Sequence, residues 1–229
     1  GVMEIRDRFS WTGGTLRGSG ETRMNSGGTL ILEGRRKELQ RRLVTAGQCE
    51  WSSGNIRFSN GTFVNAVGGE MDVTLSGNLE WNGGENRFIN EGVIRKVGEG
   101  QLEANASVGF DNRGEIDVQL GSLVLSGGGT SSGEYLLNEG VSLSYTGGDT
   151  VLTETSGLRG AGSVSFTGGN TQIGGAYEMG GLTSISGGRV GFNGDRSIGE
   201  IVLSGGTLEG SGVMEIRDRF SWTGGTLRG

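Results

Sequence analysis

Apolar and polar residues alternate in short runs along most of the chain. Leu123 and Leu125 form one such pair, and Val141, Leu143 and Tyr145 form a triplet. The residues between them are mostly serine, threonine, asparagine or charged, so each run has one apolar face and one polar face. A period of two over a few residues is typical of a half-buried β-strand.

Glycine pairs separate these runs at regular intervals in the C-terminal half, and a large residue stands two positions before each pair. The pairs begin at Gly127, Gly147, Gly168, Gly187, Gly205 and Gly224, and the large residues are Leu125, Tyr145, Phe166, Ile185, Leu203 and Trp222. Because glycine takes a positive φ without steric cost, each pair is predicted to be a turn. Short strands with turns about every 20 residues predict an all-β parallel β-helix (β-solenoid) of about 10 to 11 coils of roughly 19 to 20 residues.

The first eighteen residues, GVMEIRDRFSWTGGTLRG, recur unchanged as the last eighteen, at an offset of 211 residues. We interpret residues 1–211 as one full period of a tandem solenoid repeat and residues 212–229 as the start of the next. Identical sequences are expected to hold the same position in the coil. The second copy should therefore follow from the first by translation along the axis, with some twist.

The N-terminal half is less regular. Glycine pairs begin at Gly13, Gly27, Gly68 and Gly83, at steps that suggest turns at more than one corner of the coil. Large aromatic residues beside turns are predicted to point inward: Trp11, Trp51, Trp81, Tyr145 and Phe166. Asn60, Asn90 and Asn112 each follow a phenylalanine by two residues. These asparagines either hydrogen-bond one another in a ladder between coils or form ordinary Asn-containing turns.

The stretch from Arg35 to Leu43, RRKELQRRL, interrupts the pattern with helix-forming residues. A helix of this length would be marginal in water and lacks an N-cap residue. We therefore predict an extended segment with its arginine and lysine side chains outward. The resulting basic patch is either a solvated face or a lateral contact to an acidic stretch of a neighbouring rod.

The composition of the chain excludes several kinds of functional site. Glycine supplies 50 of the 229 residues, histidine is absent and the net charge is −6. The acidic balance disfavours nucleic acid as a partner, and no apolar segment is long enough to span a membrane. Without histidine, Ser-His-Asp and Cys-His arrangements and His-based metal sites cannot form. Cys49 is expected to be a small buried hydrophobe.

Carboxylates are the remaining candidates for chemistry, because glycoside hydrolysis uses paired acids. The candidates are Glu70, Asp72, Glu80, Glu85, Glu115 and Asp117. Glu70 and Asp72 share one strand face, as do Glu115 and Asp117, and a solvated face explains both pairs. We therefore predict no catalytic, cofactor-binding or metal-binding residues and no enzymatic activity.

Several runs resemble a repeat of very large bacterial surface and secreted proteins of the autotransporter and filamentous-haemagglutinin type. The runs are Phe110–Tyr135, Ser156–Gly169, Ser186–Gly194 and Leu203–Gly212. The resemblance covers most of the chain and is weakest between Arg35 and Gln48. It implies a right-handed parallel β-helix, export to the cell surface or beyond, and a structural or adhesive role. It carries over no catalytic residues.

These observations lead us to expect a structural repeat of a long extracellular fibre, stalk or adhesin. Its expected partners are further copies of itself, stacked end to end or joined in one chain, with lateral rod contacts and surface glycans as additional partners. The alternative is a carbohydrate-binding or carbohydrate-cleaving β-helix that uses acidic residues on an outer face. Short turns and the absence of a long loop favour the fibre.

Overall fold

The structure, a computed structural model, describes all 229 residues and contains strands but no helix. Parallel strands wind into a β-solenoid of about 11 turns with about 21 residues in each. The prediction of an all-β parallel β-helix is confirmed, with a coil slightly longer than expected. Each full turn crosses three faces, here named A, B and C in the order in which the chain visits them.

Four long strands run around a corner and contribute to two faces: Gly14–Met24, Lys37–Thr45, Arg196–Leu203 and Met214–Trp222. Face A contains the first parts of Gly14–Met24 and Lys37–Thr45, then Ile56–Phe58, Gly77–Trp81, Gln101–Ala104, Ser122–Leu125, Ser142–Tyr145, Ser163–Phe166, Leu182–Ile185, and the second parts of Arg196–Leu203 and Met214–Trp222.

Face B contains Val2–Ile5, the second parts of Gly14–Met24 and Lys37–Thr45, then Thr62–Asn65, Asn86–Asn90, Val108–Asn112, Gly129–Ser131, Asp149–Leu152, Asn170–Ile173, Arg189–Phe192, Thr207–Gly210 and Thr226–Arg228. Face C contains Arg8–Trp11, Thr29–Leu32, Gln48–Trp51, Glu70–Val73, Val93–Lys96, Glu115–Val118, Glu134–Leu137, Gly157–Gly160, Ala176–Met179, and the first parts of Arg196–Leu203 and Met214–Trp222.

The alternating residues build one continuous apolar core along the axis. Inward side chains from all three faces form a single cluster of 44 buried residues. On face A, the large residues that precede the glycine pairs lie in register, one above the other: Leu125, Tyr145, Phe166, Ile185, Leu203 and Trp222. The predicted rhythm of strand and turn is therefore also the vertical register of the solenoid.

Glycine pairs form a ladder at the corner between faces A and B. The second glycine of each pair has a positive φ of 67° to 79°: Gly128, Gly148, Gly169, Gly188, Gly206 and Gly225. At Gly169, a Cβ atom would collide with the carbonyl oxygen of Gly148 on the preceding turn. Both the left-handed backbone and the close stacking of turns require glycine here.

An asparagine ladder occupies the corner between faces B and C. The Nδ2 atom of Asn65 donates to Oδ1 of Asn90 at 2.8 Å, and Nδ2 of Asn90 donates to Oδ1 of Asn112 at 2.8 Å. All three side chains are buried. The ladder alternative is thus confirmed for Asn90 and Asn112.

Asn60 forms an ordinary Asn-containing turn, which was the second predicted alternative. It has a positive φ of 56°, and its Oδ1 accepts a hydrogen bond from the backbone N–H of Glu85. Asparagine tolerates this left-handed conformation because its short polar side chain can bond locally. Asn65, which follows Phe63 by two residues, takes the ladder position that the sequence motif indicated for Asn60.

Four of the five aromatic residues predicted to point inward do so: Trp11, Trp51, Tyr145 and Phe166 are at most 4% exposed. The prediction is wrong for Trp81, which is 51% exposed. The buried amide of Asn86 occupies the inner side of the adjacent turn and donates to the carbonyls of Gly83 and Gly84. The indole lies on the outer side, where its Nε1 donates to Gly84 O at 3.2 Å.

The basic stretch is extended, as predicted, within the strand Lys37–Thr45 and the corner before it. Arg35, Arg36 and Arg42 are exposed. Arg42 pairs at 3.0 Å with Glu21 on the preceding turn, so part of the patch is neutralised within the chain. The outward prediction is wrong for Lys37, which is fully buried.

Candidate functional site

Four of the six candidate acids lie on the outer surface of face C, in two vertical columns. Glu70, Val93 and Glu115 form one column, and Asp72, Arg95 and Asp117 form the other. The predicted sharing of strand faces is therefore confirmed. One whole turn, which carries Val93 and Arg95, lies between the pair Glu70 and Asp72 and the pair Glu115 and Asp117. The carboxylates of Glu70 and Glu115 are therefore two strand spacings, about 10 Å, apart along the axis.

Arg95 lies on the turn between the two pairs of acids and forms ion pairs with Glu70 and Asp72. Its Nη1 lies 2.9 Å from Glu70 Oε2 and 3.6 Å from Asp72 Oδ1. The hydrogen bond from Arg95 lowers the pKa of the Glu70 carboxyl below its ordinary value. Glu70 is therefore held as a carboxylate and is unsuited to the role of a proton-donating acid at neutral pH.

The other two candidate acids lie elsewhere. Glu80 is on face A, where it accepts a hydrogen bond from Asn55. Glu85 is exposed in the turn between faces A and B. The six carboxylates thus fall on three separate parts of the surface and do not converge on one cleft, and no group of three acids or cysteines is placed to hold a metal ion.

The outer surface of face B carries a shallow polar depression in the C-terminal half. Gln172 and Glu209 lie two turns apart, and the Gln172 Nε2 donates to Glu209 Oε1 at 3.4 Å. The two can meet because Gly191, on the turn between them, has no side chain. No hydrophobic or aromatic residue lines the depression, so it lacks the flat ring that commonly packs against a sugar.

Two buried lysines were not predicted. Lys37 donates to the carbonyls of Arg35 and Ser53 at 3.1 and 2.9 Å, and Lys96 donates to the carbonyl of Gly98. Burial lowers the pKa of both ammonium groups. The sequence indicated that both lysines point inward, because each is two residues from an inward apolar residue, Leu39 for Lys37 and Ile94 for Lys96.

Cys49 is 1% exposed and lies between Leu30 and Met71 in the face C ladder. Burial raises the pKa of its thiol well above the ordinary value. The thiolate that acts as nucleophile or metal ligand is therefore disfavoured, and the expectation of a small buried hydrophobe is confirmed.

The duplicated segment is the most distinctive surface feature, and its two copies do not hold the same position in the coil. In the first copy, Val2–Ile5 lies on face B, Arg8–Trp11 on face C and Gly14–Arg17 on face A. In the second copy, the equivalent residues 214–216, 219–222 and 226–228 lie on faces C, A and B. The expected simple translation is wrong, because the sequence period does not correspond to a whole number of turns.

The two copies nevertheless share two local features. Phe9 and Trp11 have ring centroids 6.5 Å apart, and Phe220 and Trp222 have centroids 6.4 Å apart. Gly14 has a φ of 84°, and its equivalent Gly225 has a φ of 79°. The same sequence therefore forms a coil of three faces at both ends, with two separate strands, Val2–Ile5 and Arg8–Trp11, in the first copy and one continuous strand, Met214–Trp222, in the second. The coil of residues 212–229 is the candidate functional site.

Comparisons with protein families, with curated proteins and with solved structures give no match. No helix of the chain is long and apolar enough to cross a membrane. What is established is the class of protein, a β-solenoid with three faces whose first eighteen residues return at its end.

Proposed function

We propose that the chain is a repeat unit of a long structural rod, in which each repeat continues the solenoid of the one before it. One observation carries the proposal. The eighteen duplicated residues form a complete coil at both ends of one unbroken solenoid. The fold can therefore be lengthened by repeating the sequence, with no new kind of contact.

The surface supports a mechanical role better than a catalytic one. The carboxylates that a carbohydrate-cleaving helix would need are separated, and two of them, Glu70 and Asp72, form ion pairs with Arg95. The face B depression offers hydrogen-bonding groups without an aromatic platform. A rod, in contrast, needs stacked turns, an unbroken core and strand ladders along its axis, and these features are all present.

We further propose an extracellular location, as a fibre, stalk or adhesin of a bacterial surface. This part rests on the resemblance to autotransporter and filamentous-haemagglutinin repeats. A solenoid of short turns suits export, because each turn bonds only to its neighbours and folding can proceed from one end. Self-association in the rod and contact with surface glycans are the corresponding partners.

The test is to produce a two-repeat polypeptide, in which residues 1–211 precede the full chain, and to measure it by small-angle X-ray scattering. One repeat of 211 residues makes about 10 turns of about 21 residues, and at about 4.8 Å per turn it is about 50 Å long. The two-repeat protein should be about 100 Å long with an unchanged cross-section. Two bodies joined by a flexible link, or a compact particle, would contradict the proposal.

A matched pair of variants at the joint makes the test specific. Phe220 pairs with the buried Ile201 and points toward the core, whereas its neighbour Ser221 points outward. In the two-repeat protein, Phe220→Asp should break or bend the rod at the joint because it buries an unpaired charge. Ser221→Asp should leave the length unchanged.

A further inference from the structure

The repeat contains ten full turns and one additional face. Starting from Val2–Ile5, ten steps down the face B ladder lead to Thr207–Gly210. The copy of Val2 is Val213, which comes after that strand and before the face C part of Met214–Trp222. The sequence period is therefore ten and one third turns.

The joint between repeats is already complete in this structure. The second copy pairs with the preceding turn on all three faces: Met214 with Arg196, Phe220 with Ile201, and Leu227 with Leu208. On their preceding side, the residues that follow the first copy pair with that copy alone. Glu21–Met24 pairs with Val2–Ile5, Thr29–Leu32 with Arg8–Trp11, and Lys37–Gln40 with Gly14–Arg17.

A second observation, the position of the glycines, supports the same conclusion. In the first three turns, glycines with positive φ lie at the corner between faces C and A: Gly14, Gly34 and Gly54. A Cβ atom at Gly54 would collide with Gly34, and one at Gly34 would collide with Thr12. At the end of the repeat, glycines with positive φ stack at the corner between faces A and B, ending at Gly225. A repeat that starts one face later places its own first glycines on the A–B corner, where they continue the ladder of the repeat before.

We infer that successive repeats are rotated by about one third of a turn around the rod axis, an inference that rests on the proposed function. Three successive repeats then make thirty-one whole turns and restore the starting face. At about 4.8 Å per turn the true axial repeat is about 150 Å. The partner that fits the terminal coil is the next copy of this sequence, seated one face further on.

The rotation determines which surface each neighbouring rod meets. A feature confined to one face within a repeat, such as the cluster of Glu70, Asp72 and Arg95, is presented on three sides in turn along the rod. Lateral contacts are therefore offered in three directions, which suits a bundle and disfavours a flat one-sided sheet.

The experiment is a cryo-electron microscopy or crystal structure of the two-repeat protein. The buried ladder of Asn65, Asn90 and Asn112 identifies the B–C corner of the first repeat. We expect the equivalent ladder of the second repeat at the C–A corner, one face further around the rod. A continuous rod with both ladders on the same corner would overturn the inference and leave the proposed function standing, whereas two non-coaxial bodies would overturn the proposed function.

A deletion supplies the control. Removing residues 212–217 from the joint takes away one strand and its corner, because the strands Val2–Ile5 and Arg8–Trp11 begin six residues apart. The shortened period should contain a whole number of turns, with both asparagine ladders on one corner. If the deletion variant and the parent show the same angle between ladders, the rotation is not set by the period and the inference is wrong.

Discussion

Replacement of Asn90 by alanine tests the asparagine ladder at its central member. The Asn90 amide donates to Asn112 Oδ1 at 2.8 Å and to the carbonyl of Glu115 at 2.9 Å, and it accepts from Asn65 Nδ2 at 2.8 Å. The side chain is fully buried. Alanine removes three hydrogen bonds worth about 1 kcal/mol each and leaves buried acceptors unpaired, so we expect a loss of about 3–4 kcal/mol in the free energy of unfolding.

Urea denaturation followed by circular dichroism measures this loss as a lower midpoint. Hydrogen exchange adds local information, since the amides of the turns on either side of Asn90 should lose protection first. The control is Asn138→Ala, because Asn138 is exposed and its side chain makes no hydrogen bond within the chain. If Asn90→Ala costs no more than Asn138→Ala, the ladder does not stabilise the corner and the reasoning fails.

Three further predictions follow from burial, glycine geometry and pH. Trp51→Ala should cost about 3–5 kcal/mol by thermal unfolding, whereas Trp81→Ala should change stability by less than about 1 kcal/mol; equal effects would contradict the assigned positions. Gly169→Ala should cost at least about 1–2 kcal/mol from its positive φ alone, whereas Gly109→Ala, with no atom closer than 3.6 Å to its Cβ, should be tolerated. Burial lowers the pKa of Lys96, so the free energy of unfolding of the wild-type protein should rise with pH between the pKa of the folded state and about 10.5. The extra stability of Lys96→Met over the wild-type protein should shrink over the same pH interval. A pH-independent difference between the two proteins would count against a buried ammonium group.

The strand and turn rhythm could be predicted because it is local. A large residue two positions before a glycine pair specifies both the end of a strand and the turn after it, and Tyr145 and Phe166 stack as this pattern predicts, with ring centroids 5.3 Å apart. The asparagine motif was only partly predictive: Asn90 and Asn112 take the ladder position, whereas Asn60, which also follows an inward phenylalanine, lies in a turn.

The corner at which each turn lies could not be predicted, because it depends on the summed length of all preceding turns. On face B one turn carries the chain from Phe63 to its partner Phe88, whereas a much shorter turn carries it from Val190 to Leu208. Such differences in the number of residues per turn change the corner at which every later glycine pair lies. The exposure of Trp81 has a similar origin, since a tertiary neighbour, Asn86, and not the strand pattern, decides which side of the turn the indole occupies.

A rotated joint requires that faces be interchangeable where repeats meet, and the distribution of corner-specific residues meets this requirement. The asparagine ladder identifies one corner, but in the same vertical column it gives way to Ser131 and then to Leu152, Ile173 and Phe192. The column then ends the repeat at Gly210, which has no side chain that would restrict the face beside it. The ladder lies wholly within one repeat, so a rotation of the next repeat breaks no asparagine contact. The only corner device that crosses the joint is the glycine ladder, and the rotation is what keeps that ladder continuous.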